Sequence, residues 1–224
     1  MDEFSPILFF GLVAIGIALT ILGQLAEKKR RQAIELVAER LGFTFDSARS
    51  HSVSSSLSCL NKLNKGSNRY AFNTLRGTLE SHAILAFDYH YETYSRNSKG
   101  HRRTHHHYLS CYCVTLDRNF PELNISKEHF FSKVAQALGW DDIDFESHEF
   151  SKSYCVRSKD KKFAYDFCSA RMIDYLLDHK GLNIEVENSI LAVIHRGKMD
   201  PETIEARLRQ VTQIRDLMPD YLFT

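Results

Sequence analysis

The stretch of the chain that most resembles a chemical site is GHRRTHHHYLSCYC, residues 100–113, which holds four histidines and two cysteines. Imidazole nitrogens and thiolates are the ligands that zinc prefers in proteins. In a strand, alternate side chains share one face. Here the residues on one face would be His105, His107, Cys111 and Cys113. His105 and Cys113 would then be roughly 26 Å apart, so a straight strand excludes a combined histidine and cysteine site.

A smaller metal site remains open on the hairpin predicted over residues 82–116. A register that pairs Tyr94 with Arg103 brings two histidines of the second strand opposite a histidine and a glutamate of the first. The candidate ligands are His90, Glu92, His105 and His107. This set suits zinc or iron, but a register shifted by one residue would send the partners to opposite faces. The alternative is a solvated, partly protonated hairpin tip.

Asp88 is the other residue of interest, because it lies within the aromatic strand AFDYHY, where a carboxylate needs a partner. Arg76 and Arg157 are the candidate partners, and structural pairing is favoured over catalysis. The sequence contains no G-x-S-x-G elbow, phosphate-binding loop or dinucleotide glycine fingerprint. We therefore predict no catalytic residue, and zinc or iron at the hairpin is the one cofactor hypothesis.

The first thirty residues indicate a membrane anchor. Residues 4–26 contain no charged side chain, and as a helix they would be about 34 Å long, enough to cross a hydrocarbon core of roughly 30 Å. A cleaved signal peptide is the alternative, but Asp2 and Glu3 stand where such a peptide needs basic residues. Residues 1–26 are therefore predicted to be a retained transmembrane anchor that contacts the bilayer through residues 4–26.

The charges that follow this span predict its orientation. Four cations come directly after it: Lys28, Lys29, Arg30 and Arg31. The positive-inside rule places them in the cytoplasm, with a single pass through the bacterial inner membrane and the N-terminus outside. There they would lie beside anionic lipid headgroups. The odd number of cysteines, five, also favours a reducing compartment for the rest of the chain.

A second copy of the chain and nucleic acid are two further partners to consider. The small residues Gly11, Ala14 and Ala18 would let two spans approach closely, which gives a homodimer through the span as one alternative; the other is that small residues are common in any span. The net charge is +1, and the basic segments lack interleaved aromatic residues. No nucleic-acid partner is therefore predicted.

Beyond the span, the patterns predict a mixed domain. Residues 27–42 continue as a juxtamembrane helix, and residues 43–68, with seven serines between positions 47 and 58, read as a loosely packed connection. In residues 69–224, aromatic and β-branched strands alternate with helical patterns. This favours an α+β domain with a mainly antiparallel sheet and a C-terminal amphipathic helix.

Three local features are expected inside this domain. LDRNFPELN, residues 116–124, is typical of a turn, and Ser126 can cap a helix over residues 127–138. The strands LNIEV and SILAVIH flank Glu187 and Asn188, a pair typical of a second hairpin.

Several segments carry a resemblance: LRGTLESHAILAFDYHYETY, FESHEFSKSYCVRSKDKKFAYDFCSARMIDYLL, SILAVIHRGKMDPETIEARL and MPDYL. Together they resemble an uncharacterised family of bacterial membrane-anchored proteins that have one or two N-terminal spans and a cytosolic α+β domain. The similarity covers roughly residues 70–224. It implies the fold and the membrane attachment, and it carries no catalytic residue over to this chain.

Three functional hypotheses follow. The first is a membrane-tethered cytosolic module that binds or assembles an unknown protein partner or lipid. The second is a metal-dependent hydrolase that uses the hairpin histidines, and the third is a structural subunit of a larger membrane complex. Metal content separates the second from the others, and co-purification in mild detergent separates the third.

Overall fold

The computed structural model describes residues 6–98, 100–127 and 143–224. They form one antiparallel sheet with helices, which confirms the predicted α+β class. The helices are α1 Pro6–Leu41, α2 His51–Ser56, α3 His148–Ser153, α4 Lys161–Phe167, α5 Ala170–Asp178 and α6 Ile204–Asp216. The strands are β1 Thr44–Asp46, β2 Ser67–Leu79, β3 His82–Arg96, β4 Arg102–Lys127, β5 Tyr154–Ser158 and β6 Ile184–Arg196. The predicted helix over residues 127–138 lies almost entirely outside the described residues.

Strand β4 organises the sheet. It is 26 residues long, and it pairs with β3 along its first half, with β6 along its middle and with β5 at its end. The turn predicted over 116–124 and the hairpin predicted at Glu187 and Asn188 are therefore both wrong. β4 and β6 stay paired through this region with register shifts around Phe120 and Asn188. Such irregularities accommodate a proline and a positive φ within a strand, signals that otherwise resemble turns.

The sheet has two buried faces because successive side chains of a strand point in opposite directions. One face, here the helical face, packs against the end of α1 and against α4, α5 and α6. The opposite face, here the serine face, is covered by the segment 51–63. Strands β2, β3, β4 and β6 therefore contribute residues to two separate hydrophobic clusters, and a polar residue in β3 or β4 belongs to one face or the other.

The segment 43–68, predicted to be a loosely packed connection, is an ordered part of the domain. It supplies β1 and α2, whose N-cap is Ser50, with its hydroxyl accepting a hydrogen bond from the Val53 amide at 3.2 Å. Its apolar side chains are buried on the serine face: Val53, Leu57, Leu60 and Leu63. Their spacing of three and four residues is a helical pattern that the intervening serines obscure.

Helix α1 runs without a break from the apolar N-terminal part into the domain. It is long and apolar enough to cross a membrane, and no part of its most apolar window is buried by the rest of the chain. Further along, Ile34, Val37 and Ala38 are buried in the core of the helical face. The helix ends at Leu41. The next residue, Gly42, has a φ of +70°, the left-handed conformation that terminates helices.

Candidate functional site

A buried ion pair joins α1 to the centre of the sheet. Asp88 of β3 is fully buried on the helical face. One of its carboxylate oxygens accepts hydrogen bonds from Arg30 and from Asn73, both at 2.8 Å. The other oxygen accepts from the Met199 amide at 2.5 Å. The predicted partners, Arg76 and Arg157, are wrong: the partner comes from the helix that precedes the domain.

Arg30 completes a small polar network that we call the clamp: Glu27, Arg30, Asp88, Lys198 and Met199. Its guanidinium donates to Glu27 at 2.6 Å and to the Met199 carbonyl at 2.9 Å. Lys198 donates to the other Glu27 oxygen at 2.9 Å. Each charge of the clamp is thus paired, which offsets the cost of burying Asp88. Burial raises the pKa of Asp88, and its donors act in the opposite direction.

Of the four cations predicted to lie at the membrane surface, Arg30 instead turns into the domain, where it pairs with Asp88. Its side chain is 17% exposed, whereas Lys28, Lys29 and Arg31 are exposed. The periodicity of α1 contains the signal, because Arg30 precedes the buried Ile34 by one helical turn and therefore shares its face. When the buried face of a helix continues into a position occupied by a cation, as at Arg30, that cation is predicted to point toward the core.

The hairpin register differs by one residue from the predicted one. Tyr94 pairs with Thr104, and Glu92 pairs with His106. Because a shift of one residue reverses the face of every side chain, His105 and His107 point to the face opposite that of His90 and Glu92. The structure therefore does not bring the four predicted ligands together, and it substitutes His106, which the sequence analysis left out.

His105 and His107 have partners of their own on their side of the hairpin. His107 stacks on Tyr91 with ring centroids 4.7 Å apart, and its Nε2 atom is 2.7 Å from the Thr93 hydroxyl. His105 has its Nε2 atom 2.7 Å from the Ser95 hydroxyl. These are cross-strand pairs that stabilise the hairpin.

On the helical face, His90, Glu92 and His106 form a cluster. Their ligand atoms all lie within 4.8 Å of one another, with His90 Nε2 at 3.0 Å and Glu92 Oε1 at 3.5 Å from His106 Nδ1. Burial lowers the pKa of His90. Hydrogen bonds from Asn68 and Tyr94 lower the pKa of Glu92. A neutral imidazole beside a carboxylate is the protonation state that metal binding requires.

A cleft of about 190 Å³ lies beside the clamp, between α1 and the sheet. We call it the basic cleft, and its walls are Glu27, Arg31, Ser47, Arg49, Tyr70, Phe72, Tyr108 and Lys198. The Arg49 guanidinium is 4.7 Å from the centre of the Tyr70 ring. The Lys198 ammonium is 4.8 Å from the centre of the Tyr108 ring. Each of the two cations is thus held against an aromatic ring at the wall of the cleft.

The serine face has its own buried pair and a larger cavity, neither of which was predicted. Glu185 of β6 is almost fully buried and accepts from the Lys62 amide at 3.2 Å, with the Lys62 ammonium at 3.8 Å. Burial raises the pKa of Glu185 and lowers that of Lys62. The cavity, about 490 Å³, is lined in part by Lys62, Lys65, Tyr91, His107 and Arg196.

Comparison with known proteins gives one fold relative. No protein-family model and no curated protein matches the chain. Among solved structures, the crystal structure of the mycobacterial trehalose monomycolate transport factor A matches with a TM-score of 0.61 and 13% sequence identity. The match covers 84% of this chain and 92% of the mycobacterial one. The two proteins share a fold over most of their lengths, and membership of an uncharacterised family remains a prediction.

Proposed function

We propose that the protein is a membrane-tethered module that holds a binding domain against the inner face of the bacterial cytoplasmic membrane. The observation that carries this proposal is the clamp. Arg30 lies four residues after the apolar segment and is hydrogen-bonded to the fully buried Asp88. Because α1 is continuous across this junction, the domain does not hang on a flexible linker. A fixed orientation toward a bilayer suits binding and assembly.

The flanking charges support the cytoplasmic orientation. With Arg30 used in the clamp, Lys28, Lys29 and Arg31 remain exposed next to the apolar segment and keep the positive-inside signal. No disulfide joins any of the five cysteines, all of which lie among the described residues, and this suits a reducing compartment. The name of the fold relative, a transport factor, fits a role without catalysis and adds weight to a module of this kind.

The direction of α1 indicates which end of the domain meets the bilayer. Arg30 contacts Asp88, while Phe43 lies against Gly77, which pairs with Ile84. Helix α1 therefore runs antiparallel to β3, and its apolar end leaves the domain on the side of the β3–β4 hairpin tip. The basic cleft, which includes Glu27 and Arg31, lies at the start of this exit.

We assign anionic lipid headgroups to the basic cleft as its ligands. The cleft presents Arg31, Arg49 and Lys198. Its one carboxylate, Glu27, is already neutralised by Arg30 and Lys198. A phosphate diester at the membrane surface offers the charge that arginine recognises, and the exposed side chain of Tyr108 offers a surface for the adjoining glycerol and acyl carbons.

Membrane placement is tested on a chain with a C-terminal epitope tag. We expect the tag to resist protease in intact spheroplasts and to be digested after permeabilisation. The purified chain should keep residues 1–26 by mass. A mature protein that lacks those residues would identify a signal peptide, and a tag digested in intact spheroplasts would reverse the orientation.

Lipid binding is tested by native mass spectrometry of the full chain in mild detergent with added phosphatidylglycerol or phosphatidylcholine. We expect one retained phosphatidylglycerol, lost in the double variant Arg49→Gln/Lys198→Gln. The matched control, Lys161→Gln/Lys162→Gln, removes two exposed charges from α4 and should retain the lipid. Equal retention in both variants contradicts the assignment. The same preparation would reveal a stoichiometric protein partner or a larger complex.

A second candidate function is a membrane-tethered metal-dependent hydrolase. The specific observation in its favour is the convergence of His90, Glu92 and His106 near the exit of α1. Two histidines and a glutamate form the ligand set of one class of hydrolytic zinc sites. Hydrolysis of a phosphodiester or ester substrate that requires added zinc and is lost in His106→Gln would select this candidate over the first.

A further inference from the structure

The β3–β4 hairpin brings three potential metal ligands together at a place that does not depend on membrane binding. Glu92 and His106 are directly opposite each other in the register, and His90 precedes Glu92 on the same face. His90 Nε2 and His106 Nδ1 are 3.0 Å apart, and His106 Nδ1 is 3.5 Å from Glu92 Oε1. Ligand atoms that surround a tetrahedral zinc are about 3.3–3.5 Å apart. Two of the three separations are therefore close to those around zinc, and all three ligand atoms lie within 4.8 Å of one another.

The hydrogen bonds around His90 fix the tautomer that a metal requires. Its Nδ1 atom is 3.0 Å from the backbone carbonyl of Asn68. A carbonyl can only accept, so Nδ1 carries the hydrogen and the Nε2 atom of the neutral ring presents its lone pair to the cluster. The ring is 2% exposed and stacks on Tyr70 with centroids 4.6 Å apart. Its orientation is thus set before any ion arrives.

The carboxylate of Glu92 is positioned in the same way. The Asn68 side-chain amide donates to Oε1 at 2.6 Å, and the Tyr94 hydroxyl donates to Oε2 at 2.9 Å. Asn68 thus orients two of the three groups, through its backbone for His90 and its side chain for Glu92. Outer hydrogen bonds that orient histidine and carboxylate ligands are a regular feature of metal sites.

We propose that His90 Nε2, Glu92 Oε1 and His106 Nδ1 bind one divalent zinc ion. The His106 side chain is 56% exposed, so the fourth coordination position opens to solvent and would be filled by water or by a ligand oxygen. The ion would join β3 to β4 beside the basic cleft, since Tyr70 and Tyr108 line that cleft and pack against His90. Without an ion, the same atoms would form a hydrogen bond from His106 to His90.

The experiment uses the full chain in mild detergent, purified without a histidine tag and stripped of metal. Titration with Zn²⁺ and with Co²⁺ should give one equivalent, and the cobalt complex should show the visible absorption of a four-coordinate site. His106→Gln should weaken binding on the order of a hundredfold or more, since loss of an outer-shell partner alone costs about 10–100-fold. His106 is exposed, so this variant should fold.

The hairpin supplies matched controls on its other face. His105→Gln and His107→Gln remove neighbouring imidazoles that point away from the cluster, and both should leave the affinity unchanged within about twofold. Tyr94→Phe removes one hydrogen bond to Glu92 and should weaken binding about tenfold. The proposal is overturned if the wild-type chain takes up no stoichiometric zinc. It is also overturned if the His105 or His107 variant loses as much affinity as His106→Gln.

Discussion

The two faces of the sheet solve one problem in different ways. Each buries a strand carboxylate, Asp88 in the middle of β3 or Glu185 at the start of β6, and each neutralises it with a cation from the chain that precedes β2. On the helical face, Arg30 bonds to Asp88, Glu27 and the Met199 carbonyl. On the serine face, Lys62 approaches Glu185 at 3.8 Å with a single ammonium.

The difference follows from the chemistry of the two cations. A guanidinium is planar and directs several N–H groups at fixed angles, so it specifies the orientation of the helix that carries it. An ammonium on a flexible stem balances charge but tolerates many positions. We infer that the helical face determines how α1 sits on the domain, whereas the pair on the serine face mainly makes burial of Glu185 tolerable.

The largest effect is expected from breaking the clamp. Arg30→Met leaves Asp88 buried without its counter-charge, which should lower the free energy of unfolding by about 3–5 kcal/mol. Urea denaturation of the full chain in mild detergent, followed by circular dichroism, measures this. Arg31→Met removes the neighbouring exposed arginine and should change stability by less than about 0.5 kcal/mol. Similar losses in both variants would mean that the clamp contributes nothing beyond surface charge.

A second effect on the helical face depends on pH. His195 lies edge-on to Tyr112, and burial together with Arg207 lowers its pKa from 6.5 to about 4. The folded state therefore favours neutral His195, and its contribution is complete above pH 6.5. As the pH falls toward 4, the unfolded chain takes up the proton first, so up to about 3 kcal/mol is lost.

The variant His195→Leu should remove this part of the pH dependence. The unfolding free energy of wild type minus that of the variant, measured between pH 7 and pH 4 (about the window set by the pKa change), should decrease by up to about 3 kcal/mol as the pH falls. His148→Gln, which alters an exposed histidine, serves as the control and should follow the wild-type curve. A constant difference between wild type and His195→Leu at every pH would show that protonation of His195 is not involved.

On the serine face, Glu185→Gln should cost less than Arg30→Met, about 1–2 kcal/mol. The amide can still accept from the Lys62 backbone, and the Lys62 ammonium can turn toward the cavity that it lines. Glu187→Gln, on the same strand but partly exposed, should be close to neutral. If Glu185→Gln lowered the free energy of unfolding as much as Arg30→Met, the two buried ion pairs would contribute equally to stability.

The smallest effect concerns the cap of α2. Ser50→Ala removes the hydroxyl that accepts from the Val53 amide and should cost about 1 kcal/mol. Ser55→Ala, within the same helix and exposed, loses only a bond to the carbonyl four residues earlier and should be nearly neutral. Thermal unfolding of both variants compares them. If both are neutral, the Ser50 hydroxyl does not stabilise α2 as a cap.

The sequence predicted the α+β class, the apolar helix and the β3–β4 hairpin, because these depend on composition and local periodicity. The partner of Asp88 could not be read from the pattern of β3 alone, since it lies 58 residues earlier in the chain. A serine-rich composition concealed the helical spacing of Val53 and Leu57. Only geometry that is not local, the way α1 crosses the sheet, brings Arg30 to Asp88.

The hairpin shows most clearly where sequence reasoning stops. Alternation correctly puts His105 and His107 on one face of β4, but the residues that connect β3 to β4 decide which face meets His90. One residue more or less in that turn exchanges His106 for its two neighbours. The residue types predicted histidine and carboxylate ligands on this hairpin. Which histidines belong to the cluster depended on a shift of one residue in the strand register.

Continuity of α1 fixes the bearing of the domain relative to the apolar segment across the junction between Ala26 and Glu27. Each residue added there would turn the domain by about 100° around the helix axis and raise it by about 1.5 Å. Seven added residues would bring the domain back to nearly its original bearing, about 10 Å further from the apolar segment. Suppose that binding of a protein partner falls with one inserted alanine and partly returns with seven. That partner would then itself be held at a fixed position relative to the apolar segment.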